Sequence, residues 1–430
     1  MTDENLPAVR DNASRIVTDV PCPFCGCVCD DLQVSVTSGR VAAAEGACEI
    51  ARNWFLADRR VEPPSCRVRG SAASYEDALG QAAEMLIAAR YPLIYGLSRA
   101  TCDAQAAAVE IAELVRGVID TPASRGSLAA LQTIGEVTCT LGEIRNRADL
   151  IVAWGVDPIT THPRFFERYG PISPQSQLIV VDSRASATSA IAHRRIVIRA
   201  GSDFEAAAVI RAIAKGINLD AAMIVERTGV SLPVWQVLLE RMKNARFGVL
   251  IAAESNDSPA ARRLCGALAA LVCDLNLHTR FVSLGLRSGG NVVGAENVLA
   301  WRTGHPTAID FSHSGPRSNP DEFTAERLLA SGEIDAALVI CDDPLSHWNS
   351  AAKERFHAIP TIALDWQDTP TMKAAQVAIP IATIGVESGG TVFRMDGVPL
   401  ALRPVVPARG PTDYEGLRRL AAALRGTQHI

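Results

Sequence analysis

Short apolar runs recur along the chain at residues 93–95, 150–154, 178–181, 247–251, 336–340 and 361–364, each bounded by Gly, Asp or Pro. Runs that stay apolar at every position fit strands buried on both faces of a parallel sheet. Between them, residues 75–90, 104–117, 204–215 and 260–273 carry apolar side chains at helical spacing, as at Ala107, Ile111, Leu114 and Val115. Ser74 and Ser258 stand where N-caps belong. Strand–helix alternation over most of the chain predicts a doubly wound α/β fold with parallel sheets. Ahead of it, residues 1–20 read as a polar arm. Residues 32–36 alternate as a strand, 37–40 turn, and 41–43 return, which predicts a hairpin in a cysteine-rich unit. Three regions result: an arm and cysteine-rich unit over 1–60, two interleaved α/β domains over 61–400, and a loop with one closing helix over 401–430.

The 430 residues suffice for two or three domains, and a net charge of −5 supplies no basic field for nucleic acid or an anionic membrane. No apolar run reaches the roughly 20 residues that a spanning helix needs. The acidic, polar start is the wrong opening for a secretory signal, so the expected compartment is the cytoplasm. Five of the eleven cysteines fall between Cys22 and Cys48. In a chain without an export signal such crowding favours metal ligation over disulfides. Cys22, Cys25 and Cys29, with Cys48 further on, are the candidate ligands of a 4Fe-4S cluster. Cys27 lies within the run, which leaves a Zn site built from another four open as well.

Several strand ends carry candidate binding chemistry. Trp154-Gly155-Val156-Asp157-Pro158 closes the strand at 150–154, and Asp182-Ser183-Arg184 closes the next. Gly201-Ser202-Asp203 and Asp342-Asp343-Pro344 sit in equivalent places, where open α/β sheets hold ligands. Arg287 opens a glycine-rich segment to Gly294, and its fork of donors suits a carboxylate. Cys102 and His162 read as packing residues.

Taken together these segments resemble the large subunits of molybdopterin or tungstopterin formate-type dehydrogenases. More specifically, Cys22-Pro23-Phe24-Cys25-Gly26-Cys27, Thr138 to Asp149 and Trp301-Arg302-Thr303-Gly304-His305-Pro306 resemble the B subunit of formylmethanofuran dehydrogenase. The resemblance runs from Cys22 to about Gly397. It implies a formate-dehydrogenase-like fold, a cluster at Cys22, Cys25, Cys29 and Cys48, and pterin positions at Trp154, Asp157, Asp182, Arg184, Ser202 and Asp343. Arg287 would stand at the catalytic arginine.

The chain departs from that pattern at the decisive turn. Family members carry a metal-binding Cys or selenocysteine followed by His where Thr121 to Ser127 lie here, and this segment has neither. A Mo or W centre needs that soft ligand. Glu49 follows Cys48 where the family commonly has a basic residue. The resemblance therefore implies a subunit without its Mo or W pterin, most like the B subunit of the formyltransferase/hydrolase complex of methylotrophs. The expected role is a non-catalytic scaffold. Its expected partners are an amidohydrolase-like formyl hydrolase subunit, a formyltransferase subunit and a further subunit, acting on a formyl group carried by tetrahydromethanopterin and a methanofuran-like carrier. The competing expectation is an active formylmethanofuran or formate dehydrogenase with an unusual metal ligand.

Overall fold

The structure is a computed structural model that describes residues 14–57, 65–122, 125–253 and 258–427. Its centre is two parallel-rich sheets. The smaller has five strands, all parallel, in the order Arg194–Val197, Gln177–Asp182, Leu150–Trp154, Gly248–Ala253, Phe281–Leu286. The larger has nine, in the order Arg317–Ser318, Ile309–Asp310, Val118–Asp120, Pro92–Gly96, Ala336–Ile340, Thr361–Asp365, Val377–Pro380, Cys66–Val68, Ser71–Ala73. Its central five strands run parallel and its margins antiparallel. The doubly wound α/β expectation is the fold found.

The central strands form where the sequence is apolar without alternation. Every residue of Leu150–Trp154, Ala336–Ile340 and Thr361–Asp365 is buried, as helices on both faces require. Both expected N-caps are present: the Ser74 hydroxyl accepts from Asp77 N at 3.0 Å, and that of Ser258 from Ala261 N at 3.2 Å. The closing helix, Asp413–Thr427, buries Leu417, Leu420, Ala421 and Leu424 against the helices Tyr75–Ala88 and Cys102–Leu114. It is thus part of the layer over the large sheet.

One local expectation fails. Residues 1–13 of the supposed arm lie outside the described residues, but Arg15–Val20 is a strand antiparallel to Leu32–Thr37, making the hairpin a three-stranded sheet. A register shift between Val17 and Val20, with Asp19 at φ 54°, breaks the alternation that would have marked it.

The cysteine loop docks on the small-sheet unit by backbone contact. Gly26 N donates to Arg287 O at 3.2 Å, and Met395 N donates to Gly26 O at 2.8 Å. A Cβ at Gly290 would lie 1.8 Å from Pro23 O, and one at Gly26 would lie 2.6 Å from Arg287 O. Only glycine allows this approach.

Candidate functional site

Two chambers share a wall. The first is lined by Cys22, Cys25, Cys27, Cys29 and Cys48 together with His162 and Arg164. All five cysteines are thiols and none is in a disulfide. Burial and the neighbouring Cys25 hold the Cys22 thiol far above its ordinary range. Burial, again with Cys25, pushes Cys29 up to about 11, against the opposing pull of Arg168 and Arg164. A hydrogen bond from Cys27 brings the Cys25 thiol down and Cys27 correspondingly up. Thiols that resist joint ionisation in this way become ligands when a cation repays the repulsion. Among the described residues, no group of three or more Cys, His, Asp or Glu converges on a point that one ion could occupy.

The second chamber, a cavity of about 260 Å³, is lined by Ser127 and Leu128 from the helix Arg125–Thr133, Cys265 from the helix Pro259–Leu275, and Arg287, Glu296 and Asp396. Arg287, at the end of Phe281–Leu286, forms an ion pair with Glu296. Their side chains are only 14% and 9% exposed, so the pair is shielded from water. Asp396 likewise pairs with Arg394 at 2.7 Å. Both arginines near this chamber are thus answered by carboxylates. Cys265 faces the start of the Arg125–Thr133 helix: a Cβ at Gly126 would meet its Sγ at 3.1 Å.

The wall between the chambers is Arg287 and His162. His162 is 2% exposed, and its Nε2 donates to Arg287 O at 2.8 Å. Burial lowers its pKa, so the ring is neutral. Its reading as a satisfied core histidine agrees with these bonds, but no local pattern marked it as a lining of the thiol chamber.

The remaining candidates fall at strand ends of both sheets. Asp157 accepts from Thr160 Oγ1 at 2.6 Å, Thr188 N at 2.9 Å and Thr188 Oγ1 at 2.5 Å. These bonds outweigh the cost of burial and hold its carboxyl below the usual range. Asp343 repeats the arrangement with Thr371, whose N and Oγ1 donate at 3.0 and 2.6 Å. In each case a Pro follows the Asp, and a residue two positions before it adopts positive φ: 61° at Gly155 and 52° at Cys341. That residue's N–H donates across to the neighbouring strand at 2.9 Å, to Val181 O and Leu364 O respectively. The two sheets therefore carry the same Asp-Thr turn, a structural repeat with too little sequence identity to be read from the chain.

Trp154 is buried and its Nε1 donates to Asp203 at 3.2 Å, Asp182 accepts from Arg184 N at 2.9 Å, and Ser202 donates to Arg199 O at 2.7 Å. The Arg184 side chain is exposed. At the large sheet, the sequence marked Asp342 at a strand end but not the acids that the fold brings to that sheet with it. Burial raises the pKa of Asp342 and Asp413, and pushes Asp365 up to about 7. Arg99 lies nearby, its guanidinium 5.5 Å from the centre of the Phe24 ring. These residues come from four separate segments, so no local spacing could have grouped them.

The fold is an α/β fold of the molybdopterin-enzyme-like kind. No protein-family model matches the chain. It is 38% identical over 413 residues to the B subunit of the tungsten-containing formylmethanofuran dehydrogenase 2 of Methanocaldococcus jannaschii, covering 91% of this chain and 94% of that one. It is 27% identical over 361 residues to the B subunit of the formyltransferase/hydrolase complex of Methylorubrum extorquens, covering 81% and 93%. The chain belongs to the family of formylmethanofuran dehydrogenase B subunits. Among solved structures, the formyltransferase/hydrolase complex of Methylorubrum extorquens with methylofuran matches with a TM-score of 0.71 at 25% identity, over 85% of this chain and 100% of that one. Acetylene hydratase from Pelobacter acetylenicus shares the fold, with a TM-score of 0.70 at 12% identity over 96% of this chain and 70% of that one.

Proposed function

We propose that this chain is a non-catalytic scaffold subunit, derived from a pterin-dependent redox subunit, in a cytoplasmic formyltransferase/hydrolase complex of one-carbon metabolism. Its partners there are an amidohydrolase-like hydrolase, a formyltransferase and one further subunit. Together they pass a formyl group from tetrahydromethanopterin to a methanofuran-like carrier and release formate. The observation that carries this reading is the turn that leads into the helix at the second chamber. Residues 121–127 hold no Cys, selenocysteine or His. Arg287, whose fork of donors would suit a carboxylate there, is engaged by Glu296. A Mo or W pterin centre does not fit these residues, and an anion site at Arg287 is disfavoured by the same ion pair.

The first chamber fits a metal group better. Four thiolates from Cys22, Cys25, Cys29 and Cys48 around a common space suit a 4Fe-4S cluster, in which each iron takes one thiolate. A tetrahedral Zn site asks instead for donors about 2.3 Å from a single point. Such a cluster supplies one-electron transfer when bound. The chain's own contribution is to bury the thiols, exclude water from them and tie their loop to the segment at Arg287.

One observation favours a second reading, an active formylmethanofuran dehydrogenase. Identity to the tungsten-containing relative is 38%, against 27% to the relative from the formyltransferase/hydrolase complex. Cys265 also brings a thiol to the second chamber from another helix. Elemental analysis and a pterin assay on the anaerobically purified native complex separate the two. The scaffold reading expects no Mo, W or pterin, and about four irons per chain. Stoichiometric Mo or W with pterin would overturn it.

A further inference from the structure

The thiol chamber's charge is the feature left unexplained by the residues around Cys48. Glu49 is exposed in the first turn of the helix Glu49–Leu56, where a negative charge suits the helix dipole and faces water. It supplies no cationic partner to the thiols and presses no charge on them. That partner arrives from more than a hundred residues away. Just after the His162-Pro163 corner, Arg164 lines the chamber itself, with a side chain only 9% exposed. It grips Asp31 through two bonds of 2.7 and 2.8 Å. It also holds Glu167 Oε1 at 3.0 Å through Nε and 2.7 Å through Nη2. Arg168, 17% exposed, bonds Asp30 and Asp31, the two residues after Cys29, at 2.8 Å each, and its charge opposes the rise of the Cys29 thiol.

By simple count the three carboxylates outnumber the two guanidinium groups. Position reverses the balance. Asp30, Asp31 and Glu167 are 38%, 42% and 62% exposed, so water screens their charge, while the two arginines are only 9% and 17% exposed and Arg164 lines the thiol chamber. Charge interactions in such a shielded site greatly exceed those at the surface.

We propose that Arg164 and Arg168 are the counter-charges of the thiolate set, positioning residues that offset the negative charge of a cluster held by Cys22, Cys25, Cys29 and Cys48 and raise its reduction potential. The inference rests on the cluster assignment made above. Arg164 lines the chamber and Arg168 is held on the two residues that follow Cys29, and positive charge beside the ligand sulfurs stabilises the more negative, reduced state. The acids orient the guanidinium groups and tie the cysteine loop to the small-sheet unit.

The test uses the complex purified anaerobically with this chain as wild type, Arg168→Gln, Arg168→Lys and Glu49→Gln. Iron per chain and the midpoint potential from an EPR-monitored redox titration are read for each. The expected result is a downward shift of the midpoint in Arg168→Gln, most of it recovered in Arg168→Lys, and no shift in Glu49→Gln. If Arg168→Gln loses its iron, recovery of iron in Arg168→Lys supports a charge role, and failure to recover overturns it in favour of packing. A loaded wild type whose midpoint ignores Arg168→Gln, or moves as much with Glu49→Gln, overturns the inference and leaves the cluster assignment standing. A wild type without iron removes the cluster assignment, and the inference with it.

Discussion

Arg287 illustrates how a single neighbour redirects a residue. Its fork of donors would suit a carboxylate ligand, yet Glu296, nine positions on, occupies it inside the protein. Removing one member of a shielded pair strands the other charge. Arg287→Ala is therefore expected to lower unfolding stability by roughly 3 kcal/mol, whereas Arg287→Met combined with Glu296→Leu should recover most of it. Denaturant titration of the three chains checks this, and equal losses in the single and double variants would contradict the pairing. Turnover of the assembled complex should not follow the charge: the double variant is expected to keep wild-type activity. Asp365 makes a prediction in pH. Burial raises its pKa to about 7, so the folded chain holds a proton that the unfolded chain gives up near pH 4. Stability from this group is fully present below about pH 4 and is lost as pH rises to about 7. Asp365→Asn should flatten the fall in melting temperature across that window. An unchanged slope would mean that the carboxyl is ionised in the folded chain.

Among elements, legibility followed burial. The strands Leu150–Trp154 and Ala336–Ile340 could be read to the residue because both faces are covered and no polar side chain interrupts them. Phe281–Leu286 escaped notice, since Ser283 and Gly285 break its apolar run at positions that face the second chamber. Arg15–Val20 escaped because its partner contacts carry a bulge. The cysteines that line the first chamber could be grouped from spacing alone, but the chamber's other wall could not. His162 and Arg164 enter it from a turn whose only local signal is a Pro. The loop's seat on Gly290 is likewise a contact in space. Gly290→Ala drives a methyl group into Pro23 O and should displace the cysteine loop, with iron per chain falling well below that of Gly410→Ala, where the added carbon meets open space. Equal iron in both would show that the loop yields without losing its ligands. The paired turns give a matched test: Asp157→Ala and Asp343→Ala each remove a carboxylate held by a Thr backbone and hydroxyl. Each should cost about 1–2 kcal/mol in thermal or denaturant unfolding.

At the scale of the whole molecule, family membership was legible because motifs spread from Cys22 to Gly397 keep their order, while strand order was not. The nine-stranded sheet places Cys66–Val68 beside Val377–Pro380, a pairing across most of the chain that no local pattern reports. No helix among the described residues is long and apolar enough to cross a membrane.

That long-range pairing also orders events in time. The small sheet takes all five strands from residues 150 to 286, so it has every strand as soon as residue 286 is made. The large sheet waits for Val377–Pro380 and then for the helix ending at Thr427, 427 − 286 = 141 residues later. At the usual elongation rate of about 5–20 residues per second, that is an interval of roughly 7–30 s. Early in that interval, until residue 340 is made, the half-built large sheet exposes the apolar strand Pro92–Gly96 without its neighbour Ala336–Ile340. A nascent chain of this kind carries unpaired apolar strands at one defined stage of its synthesis, after the small sheet and before the last helix.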